Sequence, residues 1–258
     1  MILPDFIIIG AMKCGTTSIF KNLAQHSQIY GHPAKEINFF SEKYHLGMEW
    51  YSAKFKEGFV NGESSPNYTK RDEYVDTAKL IHECNPKMKL IYVVRDPIKR
   101  MISHLHHDLY RDRLKISQIS SALEEDNKYV NTSKYAYQIE PYLKYFSLEN
   151  ILFLQFEDYL ENPQLVMNKI CSFLSISAYD FTIGKFNTTE KKYWIKNFDQ
   201  IKRLQRPTLR KVYHLLFYFI NRKIKRPALD DQTYRSVKDR LVKDMEEFEK
   251  ISGIGFKL

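Results

Sequence analysis

Phe6-Ile7-Ile8-Ile9-Gly10-Ala11-Met12-Lys13-Cys14-Gly15-Thr16-Thr17-Ser18 is the stretch from which the fold is read. The β-branched run Phe6–Ile9 has no polar alternation, so it reads as a strand buried on both faces of a parallel sheet. Gly10–Gly15 follows as a loop. Thr16 or Thr17 then opens a helix, with Ile19, Phe20 and Leu23 at helical spacing. A strand, a glycine-bounded loop and a helix in that order aim backbone N–H groups and a helix N-terminus at one point. That arrangement cradles a phosphate.

Outward from this unit the strand–helix alternation continues. Leu90–Val94 is a second buried strand, ending in Arg95-Asp96-Pro97, with Pro97 suited to a helix's first turn. Helices are expected over Asp72–Cys84 and about Lys134–Phe146. Ile151–Phe156 is a third apolar run, and Asn162-Pro163 starts a helix running to Leu174. Strands alternating with helices predict an α/β fold: a P-loop NTPase-like parallel sheet flanked by helices. Asp230–Ser252 is strongly helical, with Val237, Leu241, Met245 and Phe248 on one face. The expectation is a single domain over 1–258. Residues 1–180 form its α/β core, and 181–258 supply a loop and a helical C-terminal cap.

Composition narrows the partners. The 258 residues carry 40 Lys plus Arg against 31 Asp plus Glu, a net charge of +9 that favours anionic ligands. No apolar run has the length of a spanning helix, and Met1–Asp5 lacks the basic and apolar regions of a secretory signal. Three scattered cysteines, Cys14, Cys84 and Cys171, make neither a disulfide framework nor a zinc site. A cytoplasmic setting is the resulting expectation.

The first loop has the outline of a P-loop with one residue out of place. A Walker lysine stands directly after the second glycine, and here Thr16 occupies that position. The only loop lysine, Lys13, precedes Gly15 by two residues. The loop therefore suits one 5′-phosphate and a neighbouring anionic group, with Lys13 approaching from another side. Otherwise it is a plain strand-to-helix turn. At the second strand end, Arg95 lies where ligands bind in open α/β sheets, and Ser103 falls about two turns into the next helix. Together they can clamp a second phosphate. The competing readings pair Arg95 with a nearby carboxylate, or make Asp96 a metal ligand of Walker-B type.

These residues resemble the sulfotransferases that use 3′-phosphoadenosine 5′-phosphosulfate. Lys13-Cys-Gly-Thr-Thr-Ser18 is similar to their 5′-phosphosulfate loop, and Arg95-Asp-Pro-x-x-Arg100-x-x-Ser103-His to their 3′-phosphate motif. His32-Pro-Ala-Lys35-Glu36-Ile-Asn-Phe39-Phe40 and Gly62-Glu63-Ser-Ser-Pro-Asn-Tyr68 resemble segments of the heparan-sulfate, carbohydrate-type branch and its bacterial relatives. The resemblance implies metal-free transfer of the sulfuryl group to an acceptor hydroxyl on a carbohydrate. Acceptors of other kinds are a glycolipid head group or a small natural product, sulfated on oxygen or nitrogen. It implies that Lys13, Cys14, Gly15, Thr16, Thr17 and Ser18 hold the 5′-phosphosulfate, and that Arg95 and Ser103 hold the 3′-phosphate. Glu36 matches the general base, and Lys13 neutralises the leaving phosphate. Lys35 and Glu63 stand on the acceptor side. Lys191 and Lys192 fall where the family closes over the nucleotide, in a segment that departs from the Lys-Gly-Arg form of the animal enzymes.

Other classes stay open on the residues alone. Glu36 can simply pair with Lys35. A P-loop kinase with a displaced lysine, or a nucleotide-binding protein without catalysis, shares the loop. His104-Leu-His106-His107 places two histidines on one helix face, better suited to a helix surface or the nucleotide side than to a metal. Tyr213–Ile220, flanked by basic residues, fits core packing or peripheral membrane contact. No nucleic-acid-binding pattern is present. Acceptor contacts are expected from His45–Phe59, Leu109–Asn131 and Lys192–Arg226.

Overall fold

The computed structural model describes residues 1–124, 128–184 and 225–256. Lys191, Lys192, Tyr213–Ile220 and most of the 192–226 segment lie outside these described residues.

Five parallel strands form one sheet in the order β2-β3-β1-β4-β5. They are β1 (Phe6–Gly10), β2 (Ile29–Gly31), β3 (Val60–Ser64), β4 (Lys89–Val94) and β5 (Ile151–Gln155). The helices are α1 (Thr16–Leu23), α2 (Gly47–Ser52), α3 (Thr77–Cys84), α4 (Pro97–Tyr110), α5 (Ile119–Glu124), α6 (Lys128–Asn131), α7 (Tyr135–Leu143), α8 (Phe156–Glu161), α9 (Pro163–Leu174) and α10 (Asp231–Ser252). The expected α/β sheet flanked by helices is present. Every residue of β1 is buried, as its unbroken apolar run requires. Phe6 pairs with Gly62 on one side and Lys89 on the other, and β4 runs in register with β5 from Leu90–Ile151 to Val94–Gln155.

Helix starts follow their caps. Asp96 accepts from the Lys99 N–H at 2.8 Å with Pro97 at the first position, Asn162 accepts from Leu165 at 3.1 Å before Pro163, and Asp230 accepts from Thr233 at 2.8 Å. Asp96 is thus a helix cap. The apolar face of α10 is buried as expected. Val237, Leu241 and Met245 join Ile98, Met101 and Leu105 of α4, while Phe248 belongs to the main core beneath the sheet.

Three local expectations are corrected. Residues 70–76 are turns, and α3 begins only at Thr77. Side chains of the turn are held elsewhere: Arg71 by Tyr137 O and Glu140, Asp72 by Tyr137 and Asn131, Tyr74 by Glu42. These tertiary bonds outcompete a further helical turn. Phe156 opens α8 instead of closing the third strand. The strand β3 (Val-Asn-Gly-Glu-Ser) was not expected, because its inward residues are polar. It fits beside β1 because Gly62 lacks a Cβ, which would lie 2.0 Å from the Phe6 ring. Asn61 and Glu63 find partners: Asp5 accepts from the Asn61 N–H at 2.7 Å, the Asn61 side chain bonds the backbone of Lys56 and Phe59, and Glu63 accepts from three hydroxyls.

Candidate active site

Parallel strands bring all five C-terminal ends to one edge. The chain moves to one side of β1 for β2 and β3, then crosses to the other for β4 and β5. The edge beside β1 is therefore a topological switch point, where α/β sheets bind ligands. The first loop follows β1 there, and Arg95 follows the adjacent β4. Lys35 and Glu36 come after β2, Ser65 after β3, and Phe156–Glu157 after β5.

The loop is built around Gly15. It caps α1 in the left-handed region at φ 80°, with no side-chain cap. A Cβ there would fall 2.0 Å from Phe156 Cε2, so the ring of Phe156 fills the space that glycine leaves. By helical geometry the N–H groups of Thr16 and Thr17 have no acceptor inside α1 and carry its positive end. Two lysines converge on this end. Lys13 Nζ lies 3.3 Å from Nδ1 of His107 on α4. Lys35 Nζ donates to Thr16 Oγ1 at 3.4 Å and meets Glu36 Oε1 at 2.9 Å. Burial pulls the Lys35 ammonium below its usual range, and the Glu36 charge opposes that shift. Glu36 keeps half its side chain in solvent, 49% against 13% for Lys35. The pairing of Glu36 with Lys35 is thus present, and it stands at the mouth of the phosphate loop.

The side chain of Cys14 lies in the interior. It is fully buried, 3.7 Å from Tyr135 Oη, and the Cys14 N–H donates to Ala11 O at 3.2 Å. Burial pushes the thiol up to about 11. The Cys14 thiol thus packs in the interior beside Tyr135.

Among the described residues Arg95 has one carboxylate neighbour in ion-pair range. Its Nε lies 4.0 Å from Glu157 Oε1, too far for a hydrogen bond, and the guanidinium carbon sits 5.6 Å from the Phe156 ring centre. Among the described residues, neither the buried Arg95 Nε nor the buried Glu157 Oε2 has a hydrogen-bond partner. An orphaned guanidinium N–H next to an open helix N-terminus suits an anion bound between them. Ser103 is half-buried on α4.

Glu63 is enclosed by hydroxyls. Its carboxylate is wholly buried and accepts from Tyr51 Oη at 2.6 Å, Ser65 Oγ at 2.6 Å and Tyr68 Oη at 2.9 Å. Burial raises its pKa while the hydrogen bonds work against that rise. Ser65 Oγ in turn accepts from the Asn38 N–H at 3.0 Å, and Ser64 N–H donates to Lys35 O at 3.1 Å. Glu63 anchors the segment that carries Lys35 and Glu36.

Of the histidines, His107 lies on the Lys13 side. His104 is buried against Arg100 and Tyr129, with Asp108 at 3.7 Å, and burial holds it well below its usual pKa. Among the described residues no group of three His, Cys, Asp or Glu side chains is placed to hold a metal ion. Phe156, Glu157 and Tyr135 escaped the sequence reading as site residues. Phe156 and Glu157 carried a usable signal, since they directly follow an apolar strand.

Comparison with known proteins agrees with this geometry. The sulfotransferase domain family matches residues 3–192 of the 258. A membrane-associated sulfotransferase of Dictyostelium discoideum is 37% identical over 113 residues, covering 42% of this chain and 23% of that protein. Heparan sulfate glucosamine 3-O-sulfotransferase 3A1 of Mus musculus is 30% identical over 185 residues, 67% of this chain and 46% of the mouse protein. The chain thus spans less than half the length of these two relatives. The sulfotransferase structure from Alicyclobacillus acidocaldarius shares the fold at a TM-score of 0.73 and 20% identity, covering 99% of this chain and 98% of that one. Mouse sulfotransferase SULT7A1, solved with PAP, does so at 0.55 and 16%, covering 94% and 84%. No described helix is long and apolar enough to cross a membrane.

Proposed function

This chain belongs to the sulfotransferase family, and on that premise we propose that it transfers the sulfuryl group of 3′-phosphoadenosine 5′-phosphosulfate to a hydroxyl of a carbohydrate acceptor. The observation that carries the reading is the pairing of two anion sites on adjacent strand ends. One is the uncapped N-terminus of α1 with Lys13 and Lys35. The other is Arg95, whose buried Nε has no hydrogen-bond partner among the described residues. Two sites suit a nucleotide with phosphates at both the 5′ and 3′ positions.

The donor supplies an activated sulfuryl group on its 5′-phosphate. Gly15, Thr16 and Thr17 offer backbone N–H groups to that end, and Thr16, Thr17 and Ser18 offer hydroxyls. Lys13 sets positive charge where negative charge collects on the departing phosphate oxygen. Lys35 bridges Thr16 and Glu36, so the same ammonium steadies the loop and the carboxylate. Glu36, half-exposed at the mouth, takes the proton of the attacking hydroxyl. Arg95 and Ser103 hold the 3′-phosphate, and Lys191 and Lys192 complete the nucleotide contacts on the strength of the resemblance. The carbohydrate acceptor is favoured by the printed substrate of the mouse relative, heparan sulfate glucosamine.

Calorimetric titration with 3′,5′-adenosine bisphosphate, AMP and ATP, each with and without magnesium, tests this reading. Metal-independent binding of the bisphosphate, tighter than of AMP, is expected. A preference for ATP with magnesium would overturn it in favour of a kinase.

A further inference from the structure

We propose that Tyr135 is a positioning residue that fixes the spacing between the two phosphate-binding loops, and that the C-terminal helix α10 braces it there. The proposal rests on the donor-site reading above.

Tyr135 is the first residue of α7 and is fully buried. Its hydroxyl donates to Arg95 O at 2.7 Å and accepts from the Arg95 N–H at 3.3 Å. The same oxygen lies 3.7 Å from Cys14 Sγ. One hydroxyl therefore touches both motifs, 40 residues away along the chain at Arg95 and 121 at Cys14. Arg95 is the first residue past β4, where the sheet ladder no longer engages its backbone. A buried N–H and C=O at such a place need partners, and Tyr135 satisfies both. With its peptide groups held, the direction in which Arg95 leaves the strand is set.

The brace comes from α10. The residue before α7, Lys134, gives no side-chain cap, and Asp244 does so from another helix. Its carboxylate accepts from the Tyr137 N–H at 2.8 Å and the Ala136 N–H at 3.2 Å, the two residues after Tyr135. The ring of Tyr135 packs against Phe248, with centroids 5.6 Å apart, and against Phe256 at 5.8 Å. From the opposite side, Arg100 is buried and donates to Ser133 Oγ at 2.6 Å and Tyr129 O at 2.7 Å, fixing the chain that leads into α7. The C-terminal helix thus bears on the donor site through one tyrosine.

The test compares wild type with Tyr135→Phe, which keeps the ring and removes the hydroxyl. The readout is the ratio of affinities for 3′,5′-adenosine bisphosphate and AMP, which reports the 3′-phosphate contact alone. Tyr135→Phe is expected to lower that ratio about 3- to 10-fold, the worth of one or two hydrogen bonds to the contact. AMP affinity should change less than about 2-fold. Asp244→Asn, remote from both loops, should lower the ratio in the same direction by a smaller factor, and it decides the matter if Tyr135→Phe does not fold. A lower melting temperature with an unchanged ratio in the folded variants would make Tyr135 merely structural and overturn the proposal. A wild type with no preference for the bisphosphate would instead overturn the donor-site reading on which the proposal rests.

Discussion

Replacing Gly15 with alanine tests the architecture of the phosphate loop at its tightest point. Two costs follow from the geometry. The residue sits at φ 80°, where a Cβ costs about 1–2 kcal/mol. That Cβ would also lie 2.0 Å from Phe156 Cε2 and 2.3 Å from Cδ2, so the ring must move. Overpacking of this kind costs about 1–3 kcal/mol. Gly15→Ala should therefore destabilise by roughly 2–5 kcal/mol. Urea unfolding of Gly15→Ala, Phe156→Leu and the double variant separates the two parts. In the Phe156→Leu background only the backbone part, about 1–2 kcal/mol, should remain. The Phe156 ring also lies 5.6 Å from the Arg95 guanidinium, so displacing it should weaken bisphosphate binding in the folded variant. An equal cost in both backgrounds, or a cost below about 1 kcal/mol, would refute the packing argument.

Two further outcomes are expected. Glu36→Gln should lower turnover by about 10²–10⁴ while leaving bisphosphate affinity nearly unchanged, because a general base acts on the acceptor. Loss of nucleotide binding in that variant would instead give Glu36 a structural role through Lys35 and Thr16. Asp244 predicts a pH dependence of stability. Burial, opposed by the N–H groups of Tyr137 and Ala136, pushes its carboxyl from 3.8 up to about 6. The folded protein then holds that proton more tightly than the unfolded chain does. Its contribution is full below the unfolded value and is lost as pH rises through about 6. The unfolding free energy of wild type relative to Asp244→Asn should accordingly fall between pH 4 and 6, by at most about 3 kcal/mol. A flat difference across that window would contradict the assignment.

Sequence alone determined the elements whose signals are local. The apolar runs at Phe6–Ile9 and Leu90–Val94, the capped starts at Asp96-Pro97, Asn162-Pro163 and Asp230, and the one-sided face of α10 each lie within a few residues of what they specify. The glycine-bounded loop after β1 and the placement of Arg95 after β4 were legible for the same reason, since each directly follows a buried strand. Only the tertiary structure decided the rest. The strand β3 is polar by sequence and becomes part of the sheet because Asp5, Tyr51 and Tyr68 satisfy it from distant positions. Glu63 is enclosed by the hydroxyls of Tyr51, Ser65 and Tyr68, two of them from outside its own strand end. Lys35 meets Thr16 from 19 residues away, and Tyr135 meets Cys14 from 121. Such contacts follow from where a parallel sheet brings its strand ends, and neighbouring residues carry no trace of them. The chemistry-bearing groups were therefore readable one at a time, while their spacing depends on side chains buried between them.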